Sequence, residues 1–278
     1  MIISVASGKG GTGKTTVAVN LALSLNNVQF LDCDVEEPDA HIFLKPEINI
    51  EKSAFIPIPE INPDKCSFCG RCSEACEFNA VAVLKNKVLV FPELCHGCGA
   101  CKLVCPADAV EEKNKNIGLV RIGKTGSMDY AEGVLNVGEP MATPIIRKVK
   151  KEINKNKTVI IDASPGVACP VIETVYGSDY CILVTEPTPF GLYDLKLAVC
   201  VLRKMSIPFG VVINRDGIGD DKVEKYCEKE EIKIIFKIPM SKDIASLYSK
   251  GIPFVNKMPE WKERFIDLME GIKNEIDR

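Results

Sequence analysis

At 278 residues, 46% hydrophobic and 26% charged, the chain has the composition of an ordinary globular protein, long enough for one large α/β domain or two smaller ones. A formal net charge of −3 argues against global attraction to nucleic acid or anionic lipid, and no apolar run reaches the length of a membrane span. The N-terminus passes straight into a strand pattern, which predicts no signal peptide. In such a chain, thirteen cysteines predict a reducing, cytoplasmic setting and metal binding rather than disulfides.

The first apolar run, Ile2 to Ala6, is long enough for one buried strand, and Val17 to Leu25 has the Ala- and Leu-rich spacing of a helix. Between them lies Gly8-Lys9-Gly10-Gly11-Thr12-Gly13-Lys14-Thr15-Thr16, a full G-x-x-x-x-G-K-[ST] match in strand–turn–helix context. Glycines let consecutive backbone N–H groups converge on an anion, and the dipole of the following helix favours the same charge. The pattern predicts that Lys14 reaches the outer phosphates of a nucleotide and that Thr15 offers its hydroxyl to Mg²⁺. A glycine-rich turn without a ligand is the plainer alternative, and the complete match in its proper context weighs against it. Val28 to Leu31 reads as a second buried strand running into Asp32-Cys33-Asp34. Carboxylates at a strand's C-terminal end, facing a phosphate loop, are placed to act on Mg²⁺ and on an attacking water. An acidic loop after a strand is the alternative.

From Ile56 the texture changes. A proline-punctuated extended stretch leads to Cys66-x₂-Cys69-x₂-Cys72-x₃-Cys76 and, after a Val-rich hairpin, to Cys95-x₂-Cys98-x₂-Cys101-x₃-Cys105-Pro106. Each cysteine of the second quartet lies 29 residues after its counterpart, an internal repeat. This is the spacing of a bacterial-type ferredoxin with two [4Fe–4S] clusters, in which the fourth cysteine of each quartet serves the other cluster. Cys66, Cys69, Cys72 and Cys105 are therefore assigned to one cluster, and Cys95, Cys98, Cys101 and Cys76 to the other. Zinc also binds C-x₂-C pairs, but triple C-x₂-C-x₂-C runs do not suit separate tetrahedral sites. The first quartet is followed by Glu77 where ferredoxins usually carry proline, a departure that touches local geometry rather than ligation.

Residues 111–116 read as a solvated polar joint, Ile117 to Ile122 as a returning strand, and Gly123 to Pro140 as a glycine-rich segment, either a surface loop or part of a dimer face. Ala142 to Lys155 has basic helical character. Thr158 to Asp162 is a buried strand ending in an aspartate, the pattern of a Walker B element. Further strands are expected at Cys181 to Val184, Phe209 to Ile213 and Ile232 to Phe236, each separated by a helix. That alternation predicts a parallel sheet with helices on both faces. The final segment places Trp261, Phe265, Leu268 and Ile272 at helical spacing, with more acids than bases on its polar positions. It is expected to pack on the core rather than bind a membrane.

Lys9, directly after the first glycine, makes the loop resemble the deviant Walker A motif of the MinD/ParA/Mrp ATPases, relatives of the nitrogenase iron protein. The resemblance covers nearly the whole chain, and the cysteine module resembles a ferredoxin domain inserted into such an ATPase. It implies a MinD-like P-loop fold discontinuous over residues 1–60 and 114–278, a small α+β ferredoxin-like domain over 61–113, and a homodimer across the nucleotide face. It further implies that Lys9 reaches the partner's phosphates, that Asp34 positions the water, that Asp32 and Asp162 lie near Mg²⁺, and that Asn214 and Arg215 contact the adenine. Asn214-Arg215 is equally a loop after a strand. Cys169 matches the position of a cluster-ligating cysteine in relatives, but the second such cysteine has no counterpart here. Three functions follow: an ATP-dependent carrier or scaffold for iron–sulfur or metal-cofactor assembly, serving apo acceptor proteins; an ATP-gated electron donor to a redox partner; and a partition-type positioning ATPase. The clusters and the acidic tail weigh against the third.

Overall fold

In the computed structural model, which describes residues 1–277, nine strands form one sheet. In chain order they are β1 (Ile2–Ala6), β2 (Val28–Cys33), β3 (Glu47–Ile61), β6 (Val110–Thr125), β7 (Met128–Leu135), β8 (Thr158–Ala163), β9 (Tyr180–Thr185), β10 (Phe209–Asp216) and β11 (Ile234–Pro239). Their spatial order is β11-β10-β9-β1-β8-β2-β7-β6-β3. From β11 to β7 all neighbours are parallel. Alternation along each strand sends side chains to opposite faces. Phe30 joins Ile3, Val5 and Ile160 on the face covered by α1 (Lys14–Ser24) and α10 (Pro259–Ile276), whereas Leu31 and Ile161 face α5 (Thr143–Lys150). On that second face, Cys181, Leu183 and Val211 pack on α7 (Pro189–Lys204) through Leu195, Val199 and Leu202.

The C-terminal helix buries Trp261, Phe265, Leu268 and Ile272 against α1 and the sheet. Each fully buried side chain of this size contributes roughly 1.5–3 kcal/mol. Helix α1 is buried nearly all round, and its Asn20 spans two elements, donating to the Thr16 carbonyl and accepting from the Val255 N–H. Among the described residues, no helix is long and apolar enough to cross a membrane.

The expectation of a wholly parallel sheet needs correction. Strand β6 runs antiparallel to both β7 and β3, so one end of the sheet is an antiparallel extension. Strand β7 occupies the segment read as a glycine-rich loop. Its Gly133 is there because a Cβ would collide with Val35, Ile145 and Val149, so the glycine lets α5 pack close rather than marking a turn. Residues 111–116, read as a polar joint, belong to β6. They pair with the far half of β3 from Phe55 to Glu60 as a two-stranded ribbon, solvated enough that its polar residues carry no buried-strand signature.

At the end of the ribbon hang α3 (Arg71–Glu74), the hairpin β4 (Val81–Val83) and β5 (Val88–Val90), and α4 (Ala100–Leu103). The backbone repeats here as the sequence does. Positive φ angles recur in pairs 29 residues apart: Phe68 and Gly97, Gly70 and Gly99, Asn79 and Asp108.

Candidate functional site

Two sites share the chain. At the first, Gly11 and Gly13 adopt left-handed backbone (φ 78° and 90°) that feeds the loop into α1. A Cβ at Gly13 would collide with the Asn214 amide, whose Nδ2 donates 2.8 Å to the Thr12 carbonyl. Asn214 thus grips the loop itself. Lys14, at the first turn of α1, is almost wholly buried, with Nζ 2.7 Å from Asp162 and 3.3 Å from Asp34. Thr15 Oγ1 lies 3.3 Å from the same Nζ. The structure therefore gathers Lys14, Thr15, Asp34 and Asp162 from α1 and from the C-terminal ends of β2 and β8, where open α/β sheets bind ligands.

The electrostatics are those of a crowded buried cluster. Burial opposes the Lys14 ammonium, but Asp162, Asp34 and Asp32 overcompensate and hold its pKa above the ordinary lysine value. Burial pushes Asp34 up to about 6 despite Lys14. Burial and the neighbouring Asp162 raise Asp32, and burial raises Asp162. Asp32 is turned toward its own chain: Oδ1 accepts from the Asp34 N–H and Oδ2 from the Ala40 N–H, so it braces the 34–40 loop. Asp162 Oδ2 and Thr12 Oγ1 are buried without a hydrogen-bond partner. A buried orphan oxygen is costly, and a hydrated cation beside Thr15 and Asp162 fits the Asp162 Oδ2.

Lys9 stands to one side, 2.5 Å from Glu186, which also binds Arg215 at 2.8 Å. Burial opposes the Glu186 carboxylate, yet Lys9 and Arg215 hold it below the usual range. Glu186 escaped sequence reasoning. The available signal was its position at the C-terminal end of β9, as Asp34 and Asp162 lie at the C-terminal ends of β2 and β8.

At the second site the two quartets interleave. Cys66, Cys69, Cys72 and Cys105 line one cavity, and Cys76, Cys95, Cys98 and Cys101 line the other. Backbone N–H groups point at sulfur in the same repeated pattern: Phe68 on Cys66 and Gly97 on Cys95 at 3.4 Å, Ala80 on Cys76 and Ala109 on Cys105 at 3.3 Å. Among the described residues, no three His, Cys, Asp or Glu side chains converge on a point that could hold a single ion. Four sulfurs spread around a cavity, with amides donating to them, suit a polyatomic iron–sulfur group. The repeat is broken where Phe78 stacks on His96 (centroids 3.6 Å apart) beside the second cavity.

The remaining cysteines lie elsewhere. Cys33 and Cys181 are buried, with burial pushing both thiols up, Cys181 to about 12. Cys169 is exposed at the start of a short helix, Cys169–Val175.

Comparison with known proteins agrees with this architecture. Residues 3–254 match the family model described as the CobQ/CobB/MinD/ParA nucleotide binding domain. An uncharacterized protein of Methanocaldococcus jannaschii is 33% identical over 92% of this chain and 91% of its own length. A Pyrococcus horikoshii protein named iron-sulfur cluster carrier protein is 25% identical over 99% of this chain and 86% of its own. Among solved structures, the septum site-determining protein MinD of Pyrococcus horikoshii, complexed with Mg-ADP, aligns with TM-score 0.60 at 21% identity, covering 98% of this chain and 95% of that one. A match over most of the chain, on a fold that carries its glycine-rich loop between β1 and α1, is decisive: the protein belongs to the CobQ/CobB/MinD/ParA nucleotide-binding family of P-loop ATPases.

Proposed function

We propose that the protein binds and hydrolyses ATP with Mg²⁺, holds two [4Fe–4S] clusters in residues 61–113, and serves as an ATP-dependent carrier or scaffold in iron–sulfur or metal-cofactor assembly. The observation that carries this reading is the pairing, in one chain, of a P-loop site with two cavities each walled by three cysteines of one quartet and the fourth of the other. The naming of a relative as an iron-sulfur cluster carrier protein supports it.

On this reading Lys14 exchanges its carboxylate partners for the outer phosphates. That frees Asp162, with Thr15, to hold hydrated Mg²⁺, and Asp34 to orient the attacking water. Bound Mg²⁺ supplies neutralisation of the phosphate charge. The backbone N–H groups of residues 8–16 cradle the phosphates, and Asn214 keeps that loop in shape through the Thr12 carbonyl. Arg215 flanks the adenine side. Lys9 acts on a second copy of the chain, so dimerisation across the nucleotide face requires Lys9 to leave Glu186. Breaking that contact couples assembly to nucleotide binding.

A second reading, an ATP-gated electron donor, draws on the complete four-cysteine walls and their N–H···S bonds, which favour tightly held clusters. One experiment separates the two. Protein reconstituted anaerobically with labelled iron is mixed with an apo [4Fe–4S] acceptor, with ATP, without it, and as the Asp34→Ala variant. Iron arriving in the acceptor only when ATP can turn over marks a carrier. Iron that stays while electrons pass to a redox dye during turnover marks a gated donor. Indifference of both readouts to ATP would refute both.

A further inference from the structure

The switch loop and the second cysteine quartet are joined by a short chain of specific contacts. Val35, next to Asp34, accepts a hydrogen bond from the Leu135 N–H at 2.8 Å. Leu135 ends β7, and the turn that follows is pinned to the ribbon by Asn136, whose N–H donates 2.9 Å to the Ile117 carbonyl. That turn delivers Glu139 onto Lys115 of β6, 2.9 Å away, and both side chains are largely shielded (13% and 20% exposed). Lys115 in turn donates 3.2 Å to the Pro92 carbonyl, three residues before Cys95. Lys115 pairs across the ribbon with Ile56, and Gly97 packs on Ile56 and Pro57, so Lys115 stands on the ribbon whose Pro57 and Glu112 line the second cavity. The first cavity is bordered instead by Arg71, exposed within the module and outside this chain of contacts.

Resting on the two-cluster reading above, we infer that the Lys115–Glu139 pair is the electrostatic link by which nucleotide sets the reduction potential of the cluster held by Cys76, Cys95, Cys98 and Cys101, and of that cluster alone. Reduction adds one negative charge to a cluster. A nearby uncompensated cation favours the reduced form, and an ion-paired one much less so. In the nucleotide-free arrangement Glu139 cancels Lys115. A γ-phosphate reorders the Asp34–Val35 segment, pulls on Leu135 and draws Glu139 off Lys115. ATP therefore raises the potential of the second cluster. By linkage, reduction of that cluster tightens ATP binding by the matching factor.

The test is a mediated redox titration of the reconstituted full-length protein, followed by EPR, without nucleotide and with a non-hydrolysable ATP analogue. Iron and sulfide are assayed first. The wild type is expected to show two transitions, one of which moves upward with the analogue. Glu139→Gln should raise that transition without nucleotide and lose the nucleotide response, and Lys115→Gln should lower it. Opposite signs at the two positions separate a charge effect from mere loosening of the ribbon, which would move both variants the same way. An analogue response that is absent in the wild type, or that persists in Glu139→Gln, would overturn the link while leaving the two-cluster reading intact. Protein that takes up no iron would bring down both.

Discussion

The ATPase body and the cysteine module hold their folds by opposite means. The body buries whole strands: Ile3, Val5, Phe30, Ile160, Ile182 and Val212 are sealed between helices. Between residues 61 and 113, only Ala80, Val81, Ala109 and Val110 are buried, two alanines and two valines for some fifty residues. A segment with so little apolar burial does not offset its own conformational entropy, and small modules of this kind are held by metal. On the proposed two-cluster reading, what the body owes to packing the module owes to its cysteines.

The largest effect should therefore come from iron removal. Stripping iron from anaerobically purified protein is expected to open residues 62–109 to limited proteolysis while the body keeps its cooperative melt. An apo module as protease-resistant as the loaded one would mean the contrast is wrong. Lys14→Ala should do the reverse, with nucleotide binding lost by equilibrium dialysis and iron content unchanged. It also leaves Asp162 and Asp34 without their cation, so the nucleotide-free body should melt earlier, because removing one member of a buried ion pair costs about 3–5 kcal/mol. Retained tight ATP binding would refute the phosphate-site assignment.

Cys105→Ser sharpens the comparison inside the module. It should disturb the cluster of Cys66, Cys69 and Cys72 and spare the other, read as loss of one EPR signal. Loss of the opposite cluster would reverse the ligand exchange. In the body, Phe265→Ala should cost about 3–5 kcal/mol for a fully buried aromatic without changing iron content.

The division also explains what could be read from the sequence. The placement of the glycine-rich loop, of the acidic strand ends and of the interleaved cysteine quartets was legible because each is a local pattern fixed by spacing. Helix α10 was legible from its apolar period. Strand β7 was not, because Gly133 and its neighbours look like turn residues until Val35 and α5 are packed against them. The ribbon half of β3 and β6 was missed because a solvated two-stranded ribbon shows no apolar alternation. Glu186, Lys115 and Glu139 are single charges whose partners lie far away in the chain, and pairing at a distance leaves no trace in spacing.

The smallest expected effect is also the most selective. Asp34 has an ordinary pKa of 3.8 and is pushed up to about 6 by burial in the nucleotide-free body. The folded state then holds a proton that the unfolded chain releases between about pH 4 and pH 6. Stability contributed at this site is thus greatest at low pH and declines as pH rises through about 6. Above that, the ionised, buried carboxylate costs at most about 3 kcal/mol, from a pKa difference of about 2. Asp34→Asn should accordingly melt higher than the wild type at pH 8 without nucleotide, and the gap should close as pH falls from about 6 to about 4. The same substitution should abolish ATP turnover while leaving ATP binding in place. A variant that instead melts lower than the wild type at pH 8 would show that the Lys14 pair, rather than desolvation, governs Asp34. The site would then be a relaxed ion pair instead of a cluster held in tension for phosphate.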